Sequence, residues 1–106
     1  MSEPNIAVVL PAYNEAITLA DTLRGFHAAL PEAQLWVVDN ASTDDTARIA
    51  RETLAALGAK GGVLSEQRKG KANAVRRAFL DIEADAYLMC DADSTYPCVH
   101  YWREGQ

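Results

Sequence analysis

Short apolar runs alternate with amphipathic stretches along most of the chain. The runs at 6–10, 35–38 and 87–90 have the length and composition of buried strands, and 62–64 is a shorter candidate. Their apolar residues are consecutive rather than alternating, which is typical of strands covered on both faces in a parallel sheet. The pattern therefore predicts four strands of one sheet.

Helical spacing of apolar residues fills the first two gaps between these strands. We expect the first helix to begin at an Asn14 cap and to end at Pro31. For the second helix, Ser42 and Asp45 are a plausible capping pair and Gly58 a natural terminator. The apolar positions of the first helix are Leu19, Leu23, Phe26 and Leu30, and the second helix is lined by Ile49, Thr53, Leu54 and Leu57.

A third amphipathic helix is predicted after Gly70, with apolar positions Ala72, Val75, Phe79 and Ile82. The order β-α-β-α-β-α-β predicts an α/β fold in which three layers, α/β/α, surround a mostly parallel, Rossmann-like sheet. Residues 98–106 have no strand or helix pattern. We therefore expect one domain over 1–97 and a C-terminal tail over 98–106.

The composition fits one globular domain and narrows the range of partners. The 106 residues are 49% hydrophobic and 24% charged, with a formal net charge of -5. An acidic chain is a poor general binder of nucleic acid, because such binding needs Lys and Arg to neutralise phosphates. Half of the basic residues nevertheless fall close together and predict a local cationic surface: Arg68, Lys69, Lys71, Arg76 and Arg77.

The sequence contains no recognisable targeting segment, membrane span or redox motif. Met1 to Pro4 has no basic segment leading into a long apolar one. The longest early apolar run, 6–10, is far shorter than the ~20 residues that span a bilayer. Cys90 and Cys98 lack C-x-x-C spacing, so Cys90 is interpreted as a buried strand residue. We expect a cytoplasmic protein, which a surface or a partner could hold at the cytoplasmic face of a membrane.

Two carboxylates directly follow the last apolar run, where Cys90 leads into Asp91, Ala92 and Asp93. At i and i+2 in extended or turning backbone, Asp91 and Asp93 point to the same side and can reach one hard cation or one polyol. Asp after a strand is also common turn chemistry, through bonds to its own backbone. Two acids after an apolar run favour the cation site.

Polar loops after parallel strands meet at one edge of the sheet. There, Tyr13 offers an aromatic face to a base, and Asp39 can accept a hydrogen bond from a base or a ribose. Lys69 and Lys71 could donate to a phosphate, although a solvated helix start explains them equally well. Because carboxylates repel a pyrophosphate, a bridging metal ion is expected. The three loops that predict this nucleoside diphosphate site are 11–15, 39–42 and 91–93.

Four blocks of sequence occur in an informative order: Val8-Val-Leu-Pro-Ala-Tyr-Asn-Glu15, Trp36-Val-Val-Asp-Asn-Ala-Ser-Thr-Asp-Asp-Thr46, Lys69-Gly-Lys-Ala-Asn-Ala-Val-Arg76 and Met89-Cys-Asp-Ala-Asp93. Together they resemble the signatures of family 2 glycosyltransferases, particularly the dolichyl-phosphate mannose synthase-like branch. The resemblance covers about residues 6–97. It implies the nucleotide-diphospho-sugar transferase fold called GT-A, a UDP- or GDP-sugar donor, and Mn²⁺ or Mg²⁺ as cofactor.

The resemblance also implies roles for individual residues. Asp91 and Asp93 would be the catalytic, metal-holding pair and, with Ala92, would contact the sugar nucleotide. Asn40 stands where the family often has a second acid, and Ala72 stands where it often has Gly. The other residues implied to line the nucleotide-sugar site are Pro11, Ala12, Tyr13, Glu15, Asp39, Asn40 and Lys71.

Two other functions stay open on the sequence alone. Residues 91–95 match the D-x-D-x-T nucleophile motif of haloacid-dehalogenase-like phosphatases, although that motif normally follows an early strand. The chain could also be a catalytically inactive nucleotide-binding fragment. Members of the resembling family continue well beyond the D-x-D, so the chain looks truncated. We expect donor binding, but poor transfer to a polyprenyl phosphate or glycan without a homodimer partner or a missing C-terminal half.

Overall fold

Strands and helices alternate in the computed structural model, which describes residues 5–90 and the backbone of 99–102. The strands are β1 (Ile6–Ala12), β2 (Gln34–Asp39), β3 (Lys60–Ser65), β4 (Ala86–Met89) and β5 (Val99–Trp102). The helices are α1 (Leu19–Ala29), α2 (Thr46–Leu57) and α3 (Lys71–Asp81). The predicted order of four strands and three helices is confirmed. Within the described residues, no helix has the length and apolar content to cross a bilayer.

The five strands form one sheet in the order β3-β2-β1-β4-β5, and only the β4–β5 pairing is antiparallel. Ala12 pairs with Asp39, and Asp39 pairs with Ser65, so β1, β2 and β3 end level with one another. The chain moves outward from β1 to β3 and then returns to β4 on the other side of β1. Ligands of such sheets bind beyond the carboxyl ends of the strands, where this order reverses.

Helices cover both faces of the sheet, which confirms the predicted three layers. On one face, Val8 packs in a cluster with Leu23 of α1 and Leu54 of α2. On the other face, Val9 packs in a cluster with Ala74 of α3. Because neighbouring residues of a strand point to opposite faces, β1 has to be apolar along its length to fill both cores.

The first two helices begin later than the sequence predicts. Asn14 has a φ of 52° and does not cap α1, which begins at Leu19. Asp45 directly precedes α2, but its side chain makes no capping hydrogen bond. Polar residues expected to cap helices instead join two loops, as described below. The predicted terminator Gly58 is confirmed, because it ends α2 in the left-handed conformation with a φ of 66°.

The buried face of α3 agrees with the predicted one only in part, since Val75 and Ile82 pack in the core as expected. Ala74 and Ala78 are fully buried, whereas Ala72 is exposed and Phe79 is 41% exposed. The helix presents its small residues to the sheet, where Trp36 of β2 and Tyr87 and Met89 of β4 contribute the large side chains of the layer. The Phe79 and Tyr87 rings make a T-shaped contact, with ring centroids 4.7 Å apart and planes at 69°.

β5 is a strand that the sequence analysis did not predict. Its backbone pairs antiparallel with β4, from Ala86 opposite Trp102 to Met89 opposite Val99. The expectation that 98–106 has no regular structure is therefore wrong for residues 99–102. Residues 99–102 (Val-His-Tyr-Trp) are neither a continuous apolar run nor a strict alternation of apolar and polar residues, so neither strand pattern identifies them. The division of the chain into a domain over 1–97 and a tail stays a prediction.

Candidate functional site

The carboxyl ends of β1 and β2 bring several predicted site residues together. Pro11 and Ala12 are the last two residues of β1 and pair with Val38 and Asp39 of β2. The backbone amide of Asn40 donates to the Ala12 carbonyl oxygen at 2.8 Å. Ala12 is buried, so it contributes backbone rather than side chain to this edge.

A pocket of about 350 Å³ opens beside these strand ends. Its lining consists of Tyr13, Asn40, Lys69, Gly70 and Lys71. Tyr13 is 47% exposed, and the Lys69 Nζ atom lies 5.8 Å from the centre of its ring, within range of a cation–π contact. The pocket thus combines an aromatic face with cationic side chains, as the sequence predicts for a nucleotide site.

Asn40 fixes the loop that forms one wall of the pocket. Its Nδ2 atom donates to the carbonyl oxygens of Glu66 at 3.1 Å and Arg68 at 2.7 Å. Its Oδ1 atom accepts from the Gly70 amide at 2.9 Å. The side-chain amide is buried, and both its donor and its acceptor atoms bind the loop. Any direct contact between Asn40 and a donor stays a prediction.

Glu66 follows β3 and carries a buried carboxylate that the sequence analysis did not select as a site residue. Its Oε2 atom accepts from the Arg68 backbone amide at 2.9 Å and from Arg68 Nε at 3.1 Å. Its Oε1 atom accepts from Arg77 Nε at 3.2 Å. Hydrogen bonds from Arg68, followed by the smaller effect of Arg77, lower the pKa of Glu66 to about 2. The only feature of the sequence that could have pointed to Glu66 is its position as an acid between a predicted strand and a basic segment.

Polar side chains also join the β1–α1 loop to the β2–α2 loop. Asn14 Oδ1 accepts from the Thr43 amide at 2.8 Å, and the Asn14 amide donates to Ser42 Oγ at 2.9 Å. The Glu15 amide donates to Thr46 Oγ1 at 2.9 Å. The Thr46 hydroxyl in turn donates to Asp44, and this bond lowers the pKa of the Asp44 carboxyl. These bonds hold the first two predicted site loops against each other.

Asp39 ends β2 with a half-buried side chain at the same edge. Its Oδ1 atom accepts from the Ser42 amide at 3.2 Å, a turn bond of the kind that Asp commonly makes. Ala41, between them, has a φ of 60°, a left-handed conformation that is strained for a residue with a side chain. The carboxylate therefore orders its own loop as well as lying at the strand ends.

The predicted metal site involves residues that the structure does not describe. Asp91, Ala92 and Asp93 lie outside the described residues. Cys90, directly before them, is buried, and its amide donates to the Val9 carbonyl oxygen at 3.0 Å. The described part of the chain contains no group of three or more His, Cys, Asp or Glu side chains that could hold a metal. The carboxylates of the D-x-D suit a hard divalent cation. Because both lie outside the described residues, the metal site stays a prediction.

Solved structures with the same fold define the class of protein. A mannosyltransferase, PcManGT of Pyrobaculum calidifontis, solved with GDP-Man and Mn²⁺, superposes with a TM-score of 0.78 at 26% identity, over 88% of this chain and 28% of that one. Glucosyl-3-phosphoglycerate synthase of Mycobacterium tuberculosis, solved with Mn²⁺, UDP and glucosyl-3-phosphoglycerate, gives 0.66 at 29% identity, over 84% and 33%. The chain has the GT-A architecture of nucleotide-sugar transferases, and the predicted fold class is confirmed.

Curated relatives match the chain over most of its length. Protein RfbJ of Shigella flexneri is 46% identical over 92 residues, which are 87% of this chain and 67% of that protein. Glycosyltransferase AglJ of Haloferax volcanii is 36% identical over 86% of this chain and 28% of its own length. An undecaprenyl-phosphate 4-deoxy-4-formamido-L-arabinose transferase of Klebsiella pneumoniae is 31% identical over 87% and 30%. The chain thus spans less than a third of the last two relatives.

The sequence model of the family described as "Glycosyl transferase family 2" matches residues 7–98. The chain belongs to glycosyl transferase family 2. This confirms the resemblance inferred from the four sequence blocks, and it disfavours the phosphatase alternative for the D-x-D-x-T segment.

Proposed function

We propose that this chain binds a nucleotide-diphospho-sugar and supplies the donor side of a glycosyl transfer. The observation that carries the proposal is the pocket at the strand ends, where Tyr13, Lys69 and Lys71 converge. An aromatic ring and two ammonium groups match the base and the diphosphate of one ligand. Membership of glycosyl transferase family 2 supports the reading of this pocket as a donor site.

Several of the predicted site residues then have a defined task. Tyr13 stacks on the base, while Asp39 accepts a hydrogen bond from the base or the ribose. Lys71, the first residue of α3, donates to the phosphates where the helix dipole also favours negative charge. Pro11, in β1, and Glu15, in the loop after it, lie beside the residues that line the pocket, and we propose that they contact the nucleoside from there.

We further propose that Asp91 and Asp93 hold Mn²⁺ or Mg²⁺, with Ala92 between them against the sugar nucleotide. A bound divalent ion would neutralise the diphosphate and make it a better leaving group. The two solved neighbours contain Mn²⁺ with GDP-Man or with UDP, which supports a metal and either nucleotide for this chain.

The acceptor that we propose is a polyprenyl phosphate, with a glycan as the other candidate. The relatives named as undecaprenyl-phosphate transferases support the lipid. A phosphate oxygen is already anionic, so its attack on the sugar needs little help from a general base. Such an acceptor would place the protein at the cytoplasmic face of a membrane. A homodimer or a further segment of chain would supply the acceptor side.

Calorimetric titration of the purified chain with UDP, GDP and their sugars, with Mn²⁺ and then with EDTA, tests this function. We expect binding that depends on the metal and that Asp93→Ala largely abolishes. Asp21→Ala, on the exposed face of α1, is the control and should bind as wild type does. If neither nucleotide binds in the presence of Mn²⁺, or if Asp93→Ala binds as tightly as wild type, the proposal is wrong.

A further inference from the structure

Glu66 connects the end of the sheet to the segment that carries the pocket lysines. Its backbone amide donates to the Asp39 carbonyl oxygen at 3.0 Å, and its carbonyl oxygen accepts from Asn40. Its carboxylate binds Arg68 within the same loop and Arg77 on α3. One buried side chain thereby ties the loop from 66 to 70 to the helix that follows it.

The two pocket lysines lie within this fixed segment. Lys69 stands between Arg68, whose amide donates to the Glu66 carboxylate, and Gly70, whose amide donates to Asn40. Gly70 has a φ of 118°, which residues with a side chain rarely adopt, and it directly precedes Lys71. The direction in which both lysines leave the backbone is therefore set by bonds on each side of them.

We infer that Glu66 is a positioning residue for the nucleotide donor, which holds the segment from Arg68 to Lys71 so that Lys69 and Lys71 face the diphosphate. The inference rests on the proposed function of the pocket. Glu66 does not line the pocket itself, so its effect on the donor passes through the segment. A carboxylate is suited to this task, because its two oxygens can accept several hydrogen bonds at once from two arginines.

A purely stabilising role for Glu66 predicts different behaviour from a positioning role. A stabilising residue changes the free energy of unfolding, but the molecules that remain folded bind the donor normally. A positioning residue changes the affinity of the folded protein, because an unordered segment has to be ordered when the ligand binds. Affinity measured well below the unfolding transition separates the two roles.

The experiment compares Glu66→Gln, Arg77→Gln and Asp81→Asn with wild type. Glu66→Gln removes the charge and one acceptor oxygen. Arg77→Gln breaks the bond between α3 and Glu66 and also removes the pair that Arg77 makes with Asp81. Asp81→Asn is the matched control, since it weakens the Arg77–Asp81 pair at 3.4 Å and leaves Glu66 untouched. Affinities for UDP and GDP with Mn²⁺ are measured by calorimetry at a temperature where each variant is folded. Amide NMR spectra of the ligand-free proteins report the order of residues 66–71.

We expect Glu66→Gln to weaken nucleotide binding by about fivefold to tenfold, as for a charge-assisted bond partly lost, and Arg77→Gln by a smaller factor. Both variants should shift the amide signals of Arg68, Gly70 and Lys71. Asp81→Asn should leave both the nucleotide affinity and these signals unchanged. Wild-type affinity in Glu66→Gln, or unshifted signals for this segment, would overturn the inference. Absence of nucleotide binding by wild type would instead overturn the proposed function. If Glu66→Gln does not fold, Arg77→Gln decides the question by the same two measurements.

Discussion

Asn40 Oδ1 accepts a hydrogen bond from the Gly70 amide at 2.9 Å, across 30 positions of sequence. The same side chain donates through Nδ2 to the carbonyl oxygens of Glu66 and Arg68. A carboxylate could replace the acceptor, but it has no N–H group to donate to the two carbonyl oxygens. The loop of this chain therefore depends on an amide at a position where the family often has an acid.

Asn40→Asp should therefore destabilise the fold by about 2–3 kcal/mol, because two buried carbonyl oxygens lose their donor and face a negative charge. Chemical denaturation with urea, followed by circular dichroism, measures this change. Asn5→Asp is the matched control at the opposite edge of the sheet. The Asn5 side chain accepts a hydrogen bond from Gln34 Nε2 at 2.9 Å through Oδ1, and an aspartate keeps that bond. Equal unfolding free energies for the Asn5 and Asn40 variants would show that the Asn40 bonds contribute little.

Two glycines give a second matched pair. A Cβ atom on Gly61 would lie 2.1 Å from the Leu35 carbonyl oxygen, and Gly61 has a φ of 114°. Gly61→Ala should therefore destabilise the protein by about 3 kcal/mol or more, since β2 and β3 would have to separate. A Cβ atom on Gly25, within α1, meets nothing within 4 Å. Gly25→Ala should stabilise by about 0.5–1 kcal/mol through helix propensity.

Thermal and urea unfolding of both variants decide this prediction. The outcome that contradicts it is a Gly61→Ala protein within about 0.5 kcal/mol of wild type, the range of an ordinary surface substitution.

The elements that the sequence predicted best are those with strong local signals. The run from Ile6 to Leu10 is apolar at every position because both faces of β1 are covered, and a strand of this kind is visible without a structure. Gly58 was correctly predicted as a terminator because a left-handed residue at the end of a helix favours glycine. Short-range chemistry of this type requires no knowledge of which loops meet.

The errors come from side chains whose partners are distant in sequence. Asn14 and Ser42 look like helix caps, but they bind each other's loops at a separation of 28 or 29 positions. Asn40 and Glu66 were not recognised as anchors of the pocket loop for the same reason, since their partners become neighbours only when the sheet forms. Local patterns identify the residue types at the site but not the bonds that position them.

The stability contributed by Glu66 should depend on pH. Its ordinary pKa of 4.5 is lowered to about 2 in the folded protein, mainly by hydrogen bonds from Arg68 and to a lesser extent by Arg77. Because the folded pKa is the lower one, this contribution is complete above about pH 4.5 and is lost as the pH falls toward about 2.

Urea unfolding of wild type and Glu66→Gln between pH 7 and pH 3 measures this contribution as the difference between the two proteins, so that other carboxylates such as Asp44 cancel. We expect a constant difference from pH 7 to about 5, and a smaller difference at pH 3. A difference that stays constant to pH 3 would show that the carboxylate is not held in its charged form by the two arginines.

Asp39→Asn separates the structural role of this residue from its proposed contact with the nucleoside. Asparagine has the same size, and its remaining oxygen can still accept from the Ser42 amide, so the free energy of unfolding should change by less than about 1 kcal/mol. The other oxygen becomes an NH₂ group, which places a donor against the donor of a base or a ribose. Affinity for UDP or GDP should fall by about tenfold or more, as expected for a charge-assisted bond of about 1.5–3 kcal/mol.

Calorimetry with Mn²⁺ measures this loss of affinity in Asp39→Asn, with Asp21→Asn on the surface of α1 as the control. Unchanged affinity in a folded Asp39→Asn protein would leave Asp39 with the turn bond to Ser42 as its whole role.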